Sequence, residues 1–207
     1  MPTARPQPTT LELTDGRYRL RPWADADAES LWAAAHESRD SVGQWLPWCH
    51  AGYARSDAVA WINHCRAGWR DGGHFAFAIF DAVDGWLLGG VGLNQRDARH
   101  HRANLGYWVR QSHQRQGIAV AASGMVARFG FDRLGLVRLE IIVMPENRPS
   151  RRVAEKLGAQ HEGRLRQRLW IKGKPHDAEA YALIPQDLQQ ANRAPHAIHG
   201  RRTPTDL

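Results

Sequence analysis

Leu105-Gly106-Tyr107-Trp108-Val109, followed closely by Gln114-Arg115-Gln116-Gly117-Ile118-Ala119, is the stretch on which the fold turns. The first five residues read as a strand, and a long amphipathic run begins at Gly117, so a helix opens directly behind a strand end. The first N–H groups of such a helix have no partner within it, and its macrodipole is positive there. Gly117 adds a piece of main chain that an anion can approach without meeting a Cβ. The pairing predicts a cradle for a pyrophosphate, and with it an anionic cofactor at the centre of the molecule.

Downstream, Ile118, Ala121, Met125 and Phe129 mark one stripe of a helix that ends near Leu134, with Gly135 placed as its stop. Leu139, Ile141 and Val143 then alternate as a second strand. Strand, helix and strand of this length form a parallel crossover, so the cofactor belongs between two parallel strands, at the carboxyl end of the first. A helix over Arg148 to Leu157 follows, with Asn147 as N-cap, Pro149 in the first turn and Gly158 closing it. Two strands, near 160–170 and 177–184, flank the turn Lys172-Gly173-Lys174.

Upstream, Tyr18 to Arg21 reads as a strand and Asp25 to Glu37 as a helix opened by acidic residues. A second helix fits Ser56 to Arg70, with Ser56 as N-cap and Val59, Ile62, Cys65 and Trp69 on one face. Phe75, Phe77 and Ile79 alternate in a strand, Asp84-Gly85 turns, and Trp86 to Leu93 returns. Gly89, Gly90 and Gly92 lack the spacing of a dinucleotide fingerprint, and close backbone packing explains them better. Residues 1–10 and 187–207 are polar, proline-bearing and aperiodic, so the ordered domain is expected over 11–186 with disordered tails.

The 207 residues suit one domain. A charge of +7 and a pI near 10.1 favour phosphate-rich ligands or acidic partners. Arg164, Arg166, Arg168, Lys172 and Lys174 alternate with apolar residues as a solvated strand face does, and no aromatic RNA-binding signature accompanies them, which argues against direct nucleic-acid binding. Most of the nine tryptophans are expected in the core. Cys49 and Cys65 are predicted to be free thiols. The start of the chain is not a secretory signal, and no run reaches the roughly 20 apolar residues of a membrane span, so the expected location is the cytoplasm. The eleven histidines have no metal-ligand spacing, and no metal is expected.

With these features in place, the chain resembles the GCN5-related N-acetyltransferases (GNAT), in the branch of the RimJ and RimL ribosomal-protein acetyltransferases. The resemblance rests on Gln114-x-x-Gly117-x-Ala119, the preceding Leu105-Gly106-Tyr107-Trp108-Val109, Asn147-x-x-Ser150, Glu155-Lys156-Leu157-Gly158 and Tyr181-Ala182-Leu183. It implies an α/β (α+β) fold: a mixed, splayed sheet of about seven strands flanked by about four helices. It also implies acetyl-CoA as donor, with the pyrophosphate on the N–H groups of Gln114, Arg115, Gln116, Gly117, Ile118, Ala119 and Val120. The pantetheine arm would pair like an added strand with the main chain near Trp108, Val109 and Arg110. A homodimer is expected on the same ground.

Acetyl transfer requires a neutral amine about 3 Å from the thioester carbon, donors for the developing oxyanion and a proton for the departing thiolate. The branch assigns that proton to the serine of Asn-x-x-Ser, here Ser150, which shares the helix stripe of Val153, Ala154 and Leu157. The residues alone leave open whether Ser150 does this or only bonds the helix backbone. The tyrosine that many superfamily members carry one turn further along is replaced here by Ala154. Asn147 is a helix cap and, by resemblance, a cofactor contact. Where the branch often has a glutamate base, this chain has Asn104, which takes no proton near neutral pH.

Three routes stay open: a relay through His50 or His74, an amine that arrives neutral, or a different substrate type. The second favours α-amines over lysine side chains. Gln44-Trp45-Leu46-Pro47-Trp48-Cys49-His50 supplies Trp45, Trp48 and His50 as candidate acceptor-pocket residues. The acceptor would be a protein N-terminus, possible ribosomal proteins included, or a small polar amine. A catalytically inert acyl-CoA-binding sensor and a basic module associated with the ribosome or with nucleic acid are the competing readings.

Overall fold

A computed structural model describes residues 11–188. In chain order the elements are β1 (Leu13–Thr14), β2 (Tyr18–Pro22), α1 (Ala28–Glu37), α2 (Arg55–Asp71), β3 (Phe75–Asp81), β4 (Leu87–Asp97), β5 (Arg102–Val109), α3 (Ile118–Leu134), β6 (Arg138–Val143), α4 (Arg148–Lys156), β7 (Gln160–Ile171) and β8 (Lys174–Leu183), with 3-10 turns at Asp25–Asp27 and Gln111–His113. The strands form one sheet in the order β1-β2-β3-β4-β5-β6-β8-β7. The mixed α/β class is as predicted, and the eighth strand is the two-residue β1, too short to carry a periodic signal, paired through Leu13↔Leu20. Of the predicted tails, 1–10 and 187–207, all but residues 187 and 188 lie outside the described residues. The predicted domain end at 186 falls short: the Asp187 carboxylate accepts from the Ile184 amide at 3.0 Å, and Leu188 is buried in the core.

All neighbouring strands are antiparallel except β5 and β6, which pair in parallel only from Arg102↔Arg138 to Asn104↔Glu140. Beyond that point they separate, and the residues from Leu105 to Val109 flank one side of a wedge-shaped gap. The alternation of side chains across the sheet divides the core in two. Phe75, Phe77 and Ile79 of β3 and Leu105 of β5 pack with α3 and α4, where Phe129 meets the Phe77 ring at a centroid distance of 5.4 Å. Ala76, Ala78 and Phe80 face Leu31 of α1 and Ile62 of α2. Small side chains on this second face leave room above the sheet.

Two helix assignments change. α2 begins at Arg55 with Ala54 as N-cap, not at Ser56, because the Asp57 carboxylate reaches back to accept from the Ala54 amide at 2.8 Å. Its buried stripe runs through Ala58, Ile62, Cys65 and Trp69, whereas Val59 is 48% exposed. The expected helix from Asp25 is a 3-10 turn leading into α1; there Asp27 accepts two hydrogen bonds from Arg21, each 2.7 Å, and one from the Ala24 amide. The glycines of β4 serve close approach, as predicted: a Cβ on Gly89 would collide with the Trp108 carbonyl, and one on Gly90 would lie 2.7 Å from the Trp108 indole nitrogen. No helix among the described residues is long and apolar enough to cross a membrane.

Candidate active site

The β5–β6 gap opens into a continuous cleft of about 1810 Å³, well above the roughly 300–1,000 Å³ of a single small-ligand pocket. Trp45, Trp48, His50, Asn104, Trp108, Val109, Gln114, Arg115, Gly117, Ile118, Ala119, Val120, Asn147 and Ser150 all line it. Arg110 and Gln116 are the predicted site residues that do not. Six of the nine tryptophans (Trp23, Trp45, Trp48, Trp61, Trp108 and Trp170) line the same cleft, and only Trp23 and Trp69 are buried, which corrects the expectation of a mainly core role.

At one end lies the loop into α3. Gly117 is the N-cap of α3, with φ +82°, and Arg115 is also left-handed, with φ +65°. Alternating handedness of this kind turns successive amides toward one side, as in an anion nest. Among the described residues the amides of Arg115 to Val120 have no protein acceptor, and the first helical bond runs from the Ala121 amide to the Gly117 carbonyl. The Gln114 amide is already spent on the Gln111 carbonyl, so the free row starts one residue later than the sequence suggested. The Gln114 side chain instead braces the loop, donating to the Val109 carbonyl at 3.1 Å and to Ser41 Oγ at 3.2 Å.

Along the gap, the Arg110 amide donates to the Leu88 carbonyl at 2.8 Å, away from the opening. Main-chain groups alternate sides along a strand, so Tyr107 and Val109 present theirs to the gap, while Trp108 and Arg110 turn theirs to β4. Of the edge expected at Trp108, Val109 and Arg110, only Val109 has this phase, and Tyr107 joins it. Arg110 is a brace: its guanidinium donates to Glu37 at 2.5 Å, beside a 2.7 Å bond from the Ser112 amide to the same carboxylate and a 3.0 Å bond from the Gln111 amide to Ser38 Oγ. These contacts fasten the end of α1 to the cradle loop.

Burial alone would raise the Glu37 carboxyl, but the bonds from Ser112 and Arg110 outweigh it and hold the group below the usual carboxylate range. A depressed folded pKa stabilises the clamp fully above the unfolded value of about 4.3 and loses it as pH falls through the folded value. Hydrogen exchange at the Ser112 amide, taken relative to its intrinsic rate at each pH, is therefore expected to speed up on acidification through that window. In Glu37→Gln it is expected to be fast already at neutral pH; equal protection in both proteins would contradict the clamp.

On the α4 side, Asn147 caps the helix by accepting from the Ser150 amide at 3.1 Å. Ser150 Oγ lies 3.0 Å from the Tyr107 hydroxyl, which also donates to the Ser150 carbonyl at 3.0 Å. Desolvation pushes the Tyr107 phenol up to about 12, with the Ser150 bond pulling the other way. Tyr107 was visible in the strand motif, but only the strand phase shows that its side chain reaches α4.

The other face of the sheet forms the remaining wall. Trp48 stands edge-on to Trp108 at 5.3 Å and to Tyr53 at 5.6 Å. His50 sits at the rim, exposed, its Nδ1 accepting from the Gly52 amide. Asn104 donates from Nδ2 to Asn94 Oδ1 at 2.9 Å. Glu140, beside Asn104 in register, is held by Arg102 at 3.1 Å and Arg138 at 3.2 Å. His74 packs against His64 and Trp61, and burial, then the neighbouring His64, lowers its pKa to about 4. A group that weakly basic is a poor proton acceptor near neutrality. Among the described residues no cluster of three or more His, Cys, Asp or Glu side chains could hold a metal ion.

Comparison with known proteins matches this architecture. Residues 17–160 match the acetyltransferase (GNAT) domain. The candidate ribosomal N-acetyltransferase YdaF of Bacillus subtilis is 33% identical over 169 residues, covering 79% of this chain and 88% of YdaF. The uncharacterized N-acetyltransferase YoaA of the same organism is 36% identical over 98 residues, which span 47% of this chain and 55% of YoaA. Mycobacterium smegmatis RimJ, solved with a CoA-disulfide, superposes with a TM-score of 0.78 at 28% identity, covering 88% of this chain and 90% of that one. Acetyl-CoA is accordingly the donor, and an amine the acceptor, of the reaction this cleft serves. More than half of the chain falls within the matched domain, and the chain belongs to the GNAT acetyltransferase family.

Proposed function

We propose that the chain acetylates an α-amine, either a protein N-terminus or a small α-amino compound, by direct attack in a ternary complex. The observation that carries this is the acceptor wall. Asn104 stands paired with Asn94 where a base would be needed, Glu140 is taken by two arginines, and His74 is too weak a base. With the remaining relay candidate His50 exposed at the rim and its Nδ1 accepting from the Gly52 amide, such a site works best on amines that arrive unprotonated. At pH 7.5 an N-terminal amine is neutral roughly 250 times as often as a lysine side chain, given pKa values of about 7.8 and 10.4. The name of YdaF points to ribosomal N-acetylation in that protein, which agrees with a protein acceptor here.

In this reading the free amides of Arg115 to Val120 hold the pyrophosphate, with the positive end of α3 behind them. Tyr107 and Val109 pair with the pantetheine arm, and the Val109 amide faces the oxygen that gains charge. Ser150 returns a proton to the departing thiolate. Trp45, Trp48 and Trp108 enclose the acceptor and keep water from it.

The test is thiol release from acetyl-CoA with two peptides, one with a free N-terminus and no lysine, the other N-terminally blocked with a lysine. The first is expected to react at least tenfold faster at pH 7.5. Cofactor binding without turnover on any amine would replace the enzyme with a sensor.

A further inference from the structure

We propose that Asn94 and Asn104 form an oxygen clamp in the acceptor half of the cleft, selecting amines that carry a carbonyl or carboxylate oxygen on the adjoining carbon. This rests on the acetyl-transfer reading above and assigns to that site what it recognises. The register sets Asn94 directly opposite Asn104, and both line the cleft. The bond from Asn104 Nδ2 to Asn94 Oδ1 uses one lone pair of the Asn94 oxygen and one Asn104 hydrogen. Both hydrogens of Asn94 Nδ2, the second of Asn104 Nδ2 and the Asn104 Oδ1 acceptor are left without a partner among the described residues.

These two nitrogens converge. Each lies 3.8 Å from the point that a Cβ on Gly106 would occupy, and Gly106 has none. The strand floor between the amide pair and Trp108 is therefore open, with two donors aimed across it. Three free hydrogens set against one free carbonyl oxygen recruit an oxygen better than they recruit an ammonium, which itself only donates. A carboxylate at position 104 would present the opposite polarity and draw in a cation. The flanking Glu140 does not reverse this, since Arg102 and Arg138 occupy it. An oxygen seated over Gly106 allows the nitrogen, two carbons away, to lie toward the Trp108 end of the floor, next to the strand residues that border the gap. The ligand class is thus the α-aminoacyl unit, free or at the start of a chain, in preference to alkylamines or polyamines.

The experiment compares kcat/KM for glycinamide and for propargylamine, an amine of similar basicity with no oxygen, in the wild type, Asn94→Ala and Asn94→Asp. The wild type is expected to favour glycinamide by about 10- to 100-fold, the effect of two matched hydrogen bonds. Asn94→Ala is expected to compress that ratio at least fivefold, and Asn94→Asp, which turns a donor into an acceptor, to invert it. Retention of CoA by the variants shows that they are folded, and Asn94→Asp keeps the test alive if Asn94→Ala, which strands Asn104, does not fold. A wild-type ratio near one, or a ratio unmoved in both variants, overturns the clamp. No thiol release with either amine or with peptides sinks the transferase reading itself, and the clamp with it.

Discussion

Gly117→Asp is expected to weaken acetyl-CoA binding by at least about 100-fold, close to 2.8 kcal/mol, while leaving a folded protein. The two effects separate because of where the glycine sits. A Cβ at this position would meet nothing within 4 Å, so the substitution causes no clash. The backbone is left-handed, at φ +82°, and a non-glycine residue there costs about 1–2 kcal/mol, with Asp among the side chains that tolerate it best. That is a modest loss of stability. Against the ligand the effect is larger: one charge about 4 Å from another is worth about 4 kcal/mol at a surface-like dielectric, and here a carboxylate would face a diphosphate. Gly117→Asn carries the same backbone strain without the charge and is expected to lose less than tenfold. Calorimetric titration of both variants with CoA decides the matter; equal losses would assign the effect to strain, and unchanged affinity in Gly117→Asp would remove the pyrophosphate from this loop.

The parts of this site that sequence exposed are those written in local grammar. Gly117 and Gly135 bracket α3 because a left-handed residue ends a helix run from either side, and Asn147 caps α4 with the side chain its type implies. The alternation of Phe75, Phe77 and Ile79 likewise marked β3 as a strand. What stayed hidden depends on phase and register between segments far apart in the chain. Nothing local says that Arg110 spends its amide on Leu88 while Tyr107 and Val109 face the gap. Nothing local pairs Asn94 with Asn104, or sends Glu37 from the end of α1 to the Ser112 amide. The tryptophans misled for a related reason: composition places large aromatics in the core, yet the small residues on the second face of the sheet, Ala76, Gly90, Gly92 and Gly106, leave a floor that these rings wall instead. The α2 start erred because a serine in cap position competed with Asp57, whose longer reach to Ala54 fixed the turn earlier.

If Ser150 is the proton donor proposed above, Ser150→Ala is expected to lower kcat on the order of 100-fold with CoA affinity within a factor of two or three, and Tyr107 would orient the serine for that role. The phenol has one hydrogen and two Ser150 oxygens, each at 3.0 Å. When it donates to the carbonyl, Ser150 Oγ donates to the phenol and its proton is turned away from the gap. When it donates to Oγ, the serine hydrogen is released to point at a departing thiolate. With a pKa near 12 the phenol keeps its proton throughout any practical assay range, so this switch does not titrate. Tyr107→Phe is therefore expected to reduce kcat about tenfold without a new limb in the pH profile, and to cost about 1 kcal/mol of stability for the hydrogen bonds lost. The double variant should be little slower than Ser150→Ala alone, because without the serine hydroxyl the phenol has nothing to orient. Single-turnover rates with a fixed amine, set beside CoA titrations, distinguish this from a packing role: a serine that only tied down α4 would lose affinity and turnover together, and the two substitutions would then add.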